Sequence, residues 1–153
     1  HNFETQNELE FFDKFYLCHR NIVNYITHDT IFDETVSHWL AMPLFINGNL
    51  YYYLKDHSLS LDQMLIMIQD IVSGLNYLHS VFDPNSKPRI AHRDIKSCNI
   101  LVDYYLHCCI GDFGLAICDS NTSEASLKAY LRRKSNIQLG TKRYMSPELL
   151  SMS

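Results

Sequence analysis

His92, Arg93, Asp94, Lys96 and Asn99 stand at the spacing H-R-D-x-K-x-x-N, and Asp112-Phe113-Gly114 follows, with Asp112 thirteen residues after Asn99. These residue types at these offsets supply what moving a phosphoryl group requires: a carboxylate to orient the acceptor, a charge partner for the phosphate, and oxygen ligands for a cation. Asp94 is the candidate to orient, or take the proton of, an incoming hydroxyl. Lys96 is the candidate partner of the moving phosphate. Asn99 and Asp112 are hard oxygen donors suited to Mg²⁺, which takes one or two protein oxygens and fills its shell with phosphate oxygens. Read singly, each acid is a surface group and His92 a core histidine. Jointly, four types at fixed offsets arise by chance in a chain this long with a probability on the order of 10⁻³.

Several elements must hold these side chains. Ile100-Leu101-Val102 and His107 to Ile110 are short apolar runs joined by four residues, which predicts a hairpin between the catalytic segment and Asp112. That hairpin would set the distance between Asp94 and Asp112. Leu61, Met64, Leu65, Ile68, Ile71, Leu75 and Leu78 step by three or four and predict a helix over 61–80 with one buried stripe. Ser60 and Gln63 form a capping-box pattern at its start. Gly74 inside it should cost about 1 kcal/mol relative to Ala unless close packing needs it. A first helix is predicted from near Phe3 to Tyr16, with Phe11, Phe12, Phe15 and Tyr16 at helical spacing. Ile22-Val23 and Tyr25-Ile26 read as a short extended segment, and Val36 to Met42 as a strand ended by Pro43. Asn47-Gly48 signals a turn, Leu50 to Leu54 a short helix, and residues 83–88 a loop.

Length and composition bound the rest. The chain has 153 residues, 46% hydrophobic and 20% charged, enough to build a core. A net charge of −4 argues against nucleic-acid binding, which draws on a basic face. The basic run Arg132-Arg133-Lys134 reads as a solvated loop. The five cysteines (Cys18, Cys98, Cys108, Cys109 and Cys118) lack zinc spacing and are expected to be free thiols in a reducing compartment. Adjacent Cys108 and Cys109 would point to opposite faces of a strand. Asn121-Thr122-Ser123 fits a glycosylation sequon that a cytosolic domain would leave unmodified. No apolar run approaches the ~20 residues of a membrane span.

The motif set resembles a protein kinase domain, and one branch in particular. Lys87-Pro88-Arg89-Ile90-Ala91-His92-Arg93-Asp94-Ile95-Lys96-Ser97, Gly111-Asp112-Phe113-Gly114-Leu115-Ala116 and Gly140-Thr141-Lys142-Arg143-Tyr144-Met145 are similar to segments of the transforming-growth-factor-β/activin/bone-morphogenetic-protein receptor serine/threonine kinases. His38-Trp39-Leu40 and Gly48-Asn49-Leu50 fit their strand and hinge, and Glu8 precedes His19 at the family's spacing. Ala-His-Arg-Asp and Thr-Lys-Arg-Tyr-Met resemble the type I receptors; Phe113 resembles type II.

The resemblance implies an α+β, protein kinase-like fold in truncated form: residues 1–42 as an N-lobe remnant, 43–48 as hinge, and 49–153 as the C-lobe through the activation segment. It implies ATP and Mg²⁺ (or Mn²⁺) as cofactors. Glu8, with Glu4 and Glu10 as competitors, would pair with an ATP-contacting Lys. Met42 would guard the back of the nucleotide pocket, and Leu44 to Asn47, Phe45 among them, would present hinge backbone to adenine. Leu101 would be the apolar floor. Thr141 would brace Asp94 and Lys96, and Gly114 would supply unusual backbone angles at the turn. Ser120, Thr122, Ser123, Ser126 and Ser135 are candidate phosphosites whose phosphates could pair with Arg93. Ser146-Pro147-Glu148 stands where most kinases carry Ala-Pro-Glu; its usual Arg partner lies further on and is expected outside this chain.

Partners implied are a protein substrate of the Smad type and a second receptor chain, with this domain on the cytoplasmic side of a single-pass membrane receptor. The departures are equally plain. The five glycines form no G-x-G-x-x-G, and no Val-Ala-Ile-Lys precedes the first helix. A kinase domain of roughly 250 residues is larger than this chain, which therefore reads as a piece of one, expected to transfer phosphate poorly alone. Two other readings stand beside it: a non-catalytic kinase-like interaction module, and a non-receptor kinase of the tyrosine-kinase-like serine/threonine group.

Overall fold

The computed structural model describes residues 8–9, 11–12, 15–32, 36–81, 87–119 and 140–151. Three two-stranded antiparallel sheets and a few helices make up this part of the chain. Strands β1 (Thr27–Phe32) and β2 (Val36–Ala41) pair as a hairpin. Helix α1 (Leu50–Asp56) starts at Asn49, whose side chain accepts from the Tyr52 amide. Helix α2 (Leu61–His79) follows, and its capping box is present: the Gln63 amide donates to Ser60 Oγ, and Gln63 Oε1 accepts from the Ser60 amide.

The hairpin expected around residues 100–110 is β4 (Ile100–Val102) on β5 (Cys108–Ile110), turned at Leu106 with φ 66°. A second ribbon was not foreseen. Strand β3 (Arg89–Ala91) pairs with β6 (Ile117–Asp119), Ala91 facing Ile117. Three-residue strands with a single buried side chain carry too little periodicity to be read from sequence. This ribbon matters because β3 runs straight into His92 and β6 follows Ala116. The His92–Asn99 segment and the Asp112 turn therefore leave one ribbon and meet one hairpin.

Helix α2 departs from its predicted buried stripe. Met67, Asp70, Gly74 and Leu78 are the buried positions, while Leu61, Met64, Leu65 and Ile68 are exposed, and Ile71 and Leu75 are half-buried. Apolar spacing found the helix and the C-terminal half of its packing stripe, Ile71, Leu75 and Leu78, but not the N-terminal half, because both faces are rich in aliphatic residues. The packing face is chosen by two polar and steric details. Asp70 Oδ2 accepts from the Cys108 amide at 3.0 Å and contacts His107 Nδ1 at 2.8 Å, tying α2 to β5. A Cβ at Gly74 would lie 2.8 Å from the Asn21 carbonyl oxygen, so only glycine permits this approach. The Asn21 carbonyl in turn accepts from the Ile110 amide, and Asn21 Nδ2 donates to Cys108 O. The C-terminus of α2 is capped by buried Lys87, whose ammonium donates to Leu78 O and Ser80 O.

Cys108 and Cys109 are both buried, since β5 is covered on both faces. Burial pushes their thiols up to about 12 and about 11, so both stay protonated and unreactive at neutral pH. The first helix is shorter than expected at its C-terminal end. Residues 8, 9, 11 and 12 are helical, but Tyr16 is outside the helix and 83% exposed. Among the described residues no helix is long and apolar enough to cross a membrane.

Candidate active site

Asp94, Lys96, Asn99 and Thr141 converge. Asp94 is buried; its Oδ2 accepts from Lys96 Nζ at 2.6 Å and from Asn99 Nδ2 at 3.2 Å. Its Oδ1 accepts from both the amide and the hydroxyl of Thr141, each at 2.9 Å. Lys96 Nζ also donates to Thr141 Oγ1 at 3.0 Å, closing a triangle. Burial alone would raise the Asp94 pKa, yet the bonds from Lys96 and Thr141 outweigh it and hold the carboxyl below its ordinary value. Lys96 responds in the matching sense: burial lowers it, and Asp94 more than restores it, so the ammonium is held charged.

The triangle is closed by a glycine. Gly140 has φ 106°, and a Cβ there would come 2.9 Å from the Arg93 carbonyl oxygen. Arg93 itself has φ 67°. The expected brace of Asp94 and Lys96 by Thr141 thus depends on two left-handed residues in tight register. Tyr144 and Ser97 add an exposed hydroxyl contact at 3.2 Å between the same two segments.

Asp112 is reached through His92. The His92 ring is 2% exposed; its Nδ1 accepts from the Asp94 amide and its Nε2 faces Gly111 O at 2.9 Å. An amide N–H on Nδ1 requires that nitrogen to be unprotonated, so Nε2 carries the hydrogen and donates to Gly111. Burial lowers the His92 pKa and keeps the ring neutral in this double role. The Gly111 amide donates to Asn99 O, a second tie between the segments. The Asp94 charge, and more weakly that of Asp112, favour the charged form of Lys96.

The Asp112 carboxylate is exposed, and Asp112 is itself left-handed at φ 63°. The unusual angles expected of Gly114 are therefore carried by Asp112; the described glycines with positive φ are Gly48 and Gly140. Phe113 is fully buried among rings: Phe11 at 5.5 Å, Phe12 at 5.4 Å and His92 at 5.0 Å. Backbone strain at Arg93 and Asp112 is the kind that packed surroundings hold in place at functional sites.

The donor set fits a hard cation. Asn99 Nδ2 is fixed by two acceptors, Asp94 O and Asp94 Oδ2, which leaves Oδ1 as the atom turned away from Asp94. Among the described residues no cluster of three or more His, Cys, Asp or Glu could hold a metal by itself. A cation at Asn99 and Asp112 would need further oxygens from its ligand, the manner in which Mg²⁺ binds with phosphates.

The remaining candidates are dispersed more loosely. Glu8 is buried, with Oε1 accepting from the Phe113 amide at 2.9 Å and from the Tyr25 hydroxyl. Burial raises its pKa against the effect of those bonds. Leu101 is half-buried in β4 and bridges Asn49 next to α1. Met42 is 40% exposed and Leu44 88% exposed, while Phe45 is half-buried and its carbonyl accepts from the Gly48 amide. Arg93 Nε donates to Leu115 O at 2.6 Å, fastening the catalytic segment to the turn before β6. Ser120, Thr122, Ser123, Ser126, Ser135, the sequon, residues 132–134, Glu4, Glu10 and most of the 83–88 loop lie outside the described residues. Sequence reasoning passed over Tyr25 and the bridging role of His92; the histidine's fixed place in the motif was the one available signal.

The fold that brings His92, Asp94 and the Asp112 turn together is that of a protein kinase domain. The family description "Protein kinase domain" matches residues 1–153, and the chain belongs to the protein kinase family. Within it, mouse and human proteins named activin receptor type-1-like are each 39% identical over 145 residues, covering 94% of this chain and 28% of theirs. Chicken activin receptor type-1 matches with the same identity and coverage. The chain spans 28% of the length of these curated relatives.

Proposed function

We propose that this chain is the catalytic part of a receptor serine/threonine kinase, transferring the γ-phosphate of ATP to Ser or Thr hydroxyls of a protein. The observation that carries it is the triangle in which Thr141 Oγ1 contacts both Asp94 Oδ1 and Lys96 Nζ. Asp94 orients the acceptor hydroxyl and draws on its proton. Lys96, held charged by Asp94, faces the charge that moves with the phosphoryl group. Asn99 Oδ1 and the Asp112 carboxylate would hold Mg²⁺, which neutralises phosphate charge when bound. Glu8 is the residue to meet an ATP-contacting Lys, Met42, Leu44 and Phe45 line the adenine edge, and Leu101 forms its floor. Residues 1–42 are N-lobe, 43–48 hinge and 49–153 C-lobe.

The relatives' names support an activin-type receptor as the parent. On that reading the domain lies on the cytoplasmic side of a single-pass membrane protein, beside a partner receptor, with Smad-type substrates. The sequence holds no G-x-G-x-x-G and no Val-Ala-Ile-Lys, so the 153 residues by themselves transfer phosphate slowly. Binding can still be read: Mg·ATP should raise the melting temperature of the purified chain, because a ligand of the folded state stabilises it. Asp112→Asn should abolish most of that rise. A chain with no Mg-dependent response to ATP contradicts the proposal.

A further inference from the structure

The Asp112 turn poses a physical question that the catalytic motif does not answer. Asp112 sits at φ 63° with a side chain, a conformation that L residues other than glycine avoid. Something must hold it there, and Gly114 is not the left-handed residue. The next amide, Phe113 N–H, is buried and donates to Glu8 Oε1 at 2.9 Å. A flexible glutamate side chain is a weak anchor unless its carboxylate is itself fixed. Here the same oxygen accepts from the Tyr25 hydroxyl at 2.5 Å. Tyr25 in turn packs its ring on Phe12 at 3.8 Å, one helical turn from Glu8. Burial, then the Glu8 charge, push the Tyr25 phenol far up, so Tyr25 keeps its proton and stays the donor; the Asp112 backbone also faces the phenol oxygen. Among the described residues the donors to Glu8 are thus neutral groups.

We propose that the Tyr25 hydroxyl is a positioning group for phosphoryl transfer: it fixes the Glu8 carboxylate against the Phe113 amide, and that bond holds Asp112 in the left-handed turn that presents its carboxylate. The proposal rests on the reading of Asp112 as a cation ligand. The arrangement ties three separated segments (the first helix, the segment just before β1 and the Asp112 turn) through one oxygen atom. A buried amide is strongly disfavoured without an acceptor, so loss of the carboxylate's placement releases the turn. Tyr25 as mere core packing makes a different forecast, because its ring fills the space against Phe12 with or without the hydroxyl.

The test is amide hydrogen exchange at Phe113 in the full 153-residue chain, with the Ile110 amide in β5 as internal reference. Tyr25→Phe keeps the ring and removes the hydroxyl. It should speed Phe113 exchange about tenfold relative to Ile110, the scale of one lost hydrogen bond, and raise the Mg²⁺ concentration for half-maximal ATP response several-fold. Glu8→Leu should speed Phe113 exchange at least as much, and it serves if Tyr25→Phe unfolds. Phe113 exchange that stays at the parent rate in either folded variant overturns the proposal. A parent chain that ignores Mg·ATP overturns the kinase reading instead, while the exchange data still decide the role of Tyr25.

Discussion

The molecule treats two of its buried carboxylates, Asp94 and Glu8, in opposite ways. Asp94 has a cation and a hydroxyl on it, and its pKa is held down despite burial. Glu8 meets only neutral donors among the described residues, and burial holds its pKa up. The first carboxylate is held charged by the groups around it. The second is a geometric anchor whose charge is a liability inside the protein. One sequence letter class therefore serves two purposes, and the neighbours decide which.

The largest effect that would break this contrast is on stability. Asp94→Asn removes charge-assisted bonds from Lys96 and Thr141 and leaves the ammonium without its partner. It should cost roughly 1.5–3 kcal/mol by denaturant unfolding. Glu8→Gln keeps an oxygen acceptor and discards the buried charge, so it should cost less than about 1 kcal/mol. Equal losses in the two variants would erase the distinction. Gly140→Ala sharpens the same point from the backbone side. It forces a side chain into φ 106° and against the Arg93 carbonyl, at roughly 1–3 kcal/mol. It should also loosen Thr141, seen as loss of protection at the Thr141 amide.

The pH dependence is the smallest effect and differs in sign. Asp94 has its folded pKa depressed below 3.8, so its contribution is present above that value and is lost as pH falls through the folded pKa. Glu8 has its folded pKa raised above 4.5, so its contribution is full below 4.5 and is lost as pH rises through the folded pKa. His92 is depressed below 6.5, and its contribution is lost as pH falls from 6.5 toward the folded value. Unfolding midpoints between pH 3 and 7 should show Glu8→Gln losing a component that falls with rising pH. Unfolding midpoints below pH 3.8 should show Asp94→Asn losing one that rises with pH. Slopes unchanged in both variants would contradict the assignment.

Much of the Asp94 side was legible before any coordinates, and the Glu8 side was not, for a physical reason. Asp94, Lys96 and Asn99 are polar residues in fixed local spacing that their chemistry constrains, and Thr141 followed from the family resemblance. The β4–β5 hairpin and α2 with its capping box were readable from apolar period and end signals. The β3–β6 ribbon was not, because its strands Arg89–Ala91 and Ile117–Asp119 mix apolar with charged residues and form no apolar run like Ile100–Val102. The packing face of α2 was read correctly only at Ile71, Leu75 and Leu78, because aliphatic residues surround the helix, and the deciding features were Asp70 and Gly74, a buried acid and a close approach. The Tyr25–Glu8 bond belongs to no motif spacing, so nothing in the sequence announces it. The left-handed residue at the turn was sought at Gly114, where conformational freedom is cheapest, and lies at Asp112, where tertiary bonds hold it.

The central claim is that Asp94 and Asp112 face one site able to hold a metal-bound triphosphate. Paramagnetic broadening by Mn²⁺ in the presence of ATP, followed on backbone amides of the chain, tests it most directly. Broadening should centre on residues 94–101 and 111–114, spare the β1–β2 hairpin, and vanish in Asp112→Asn. Broadening centred elsewhere, or unchanged by that substitution, would contradict the account.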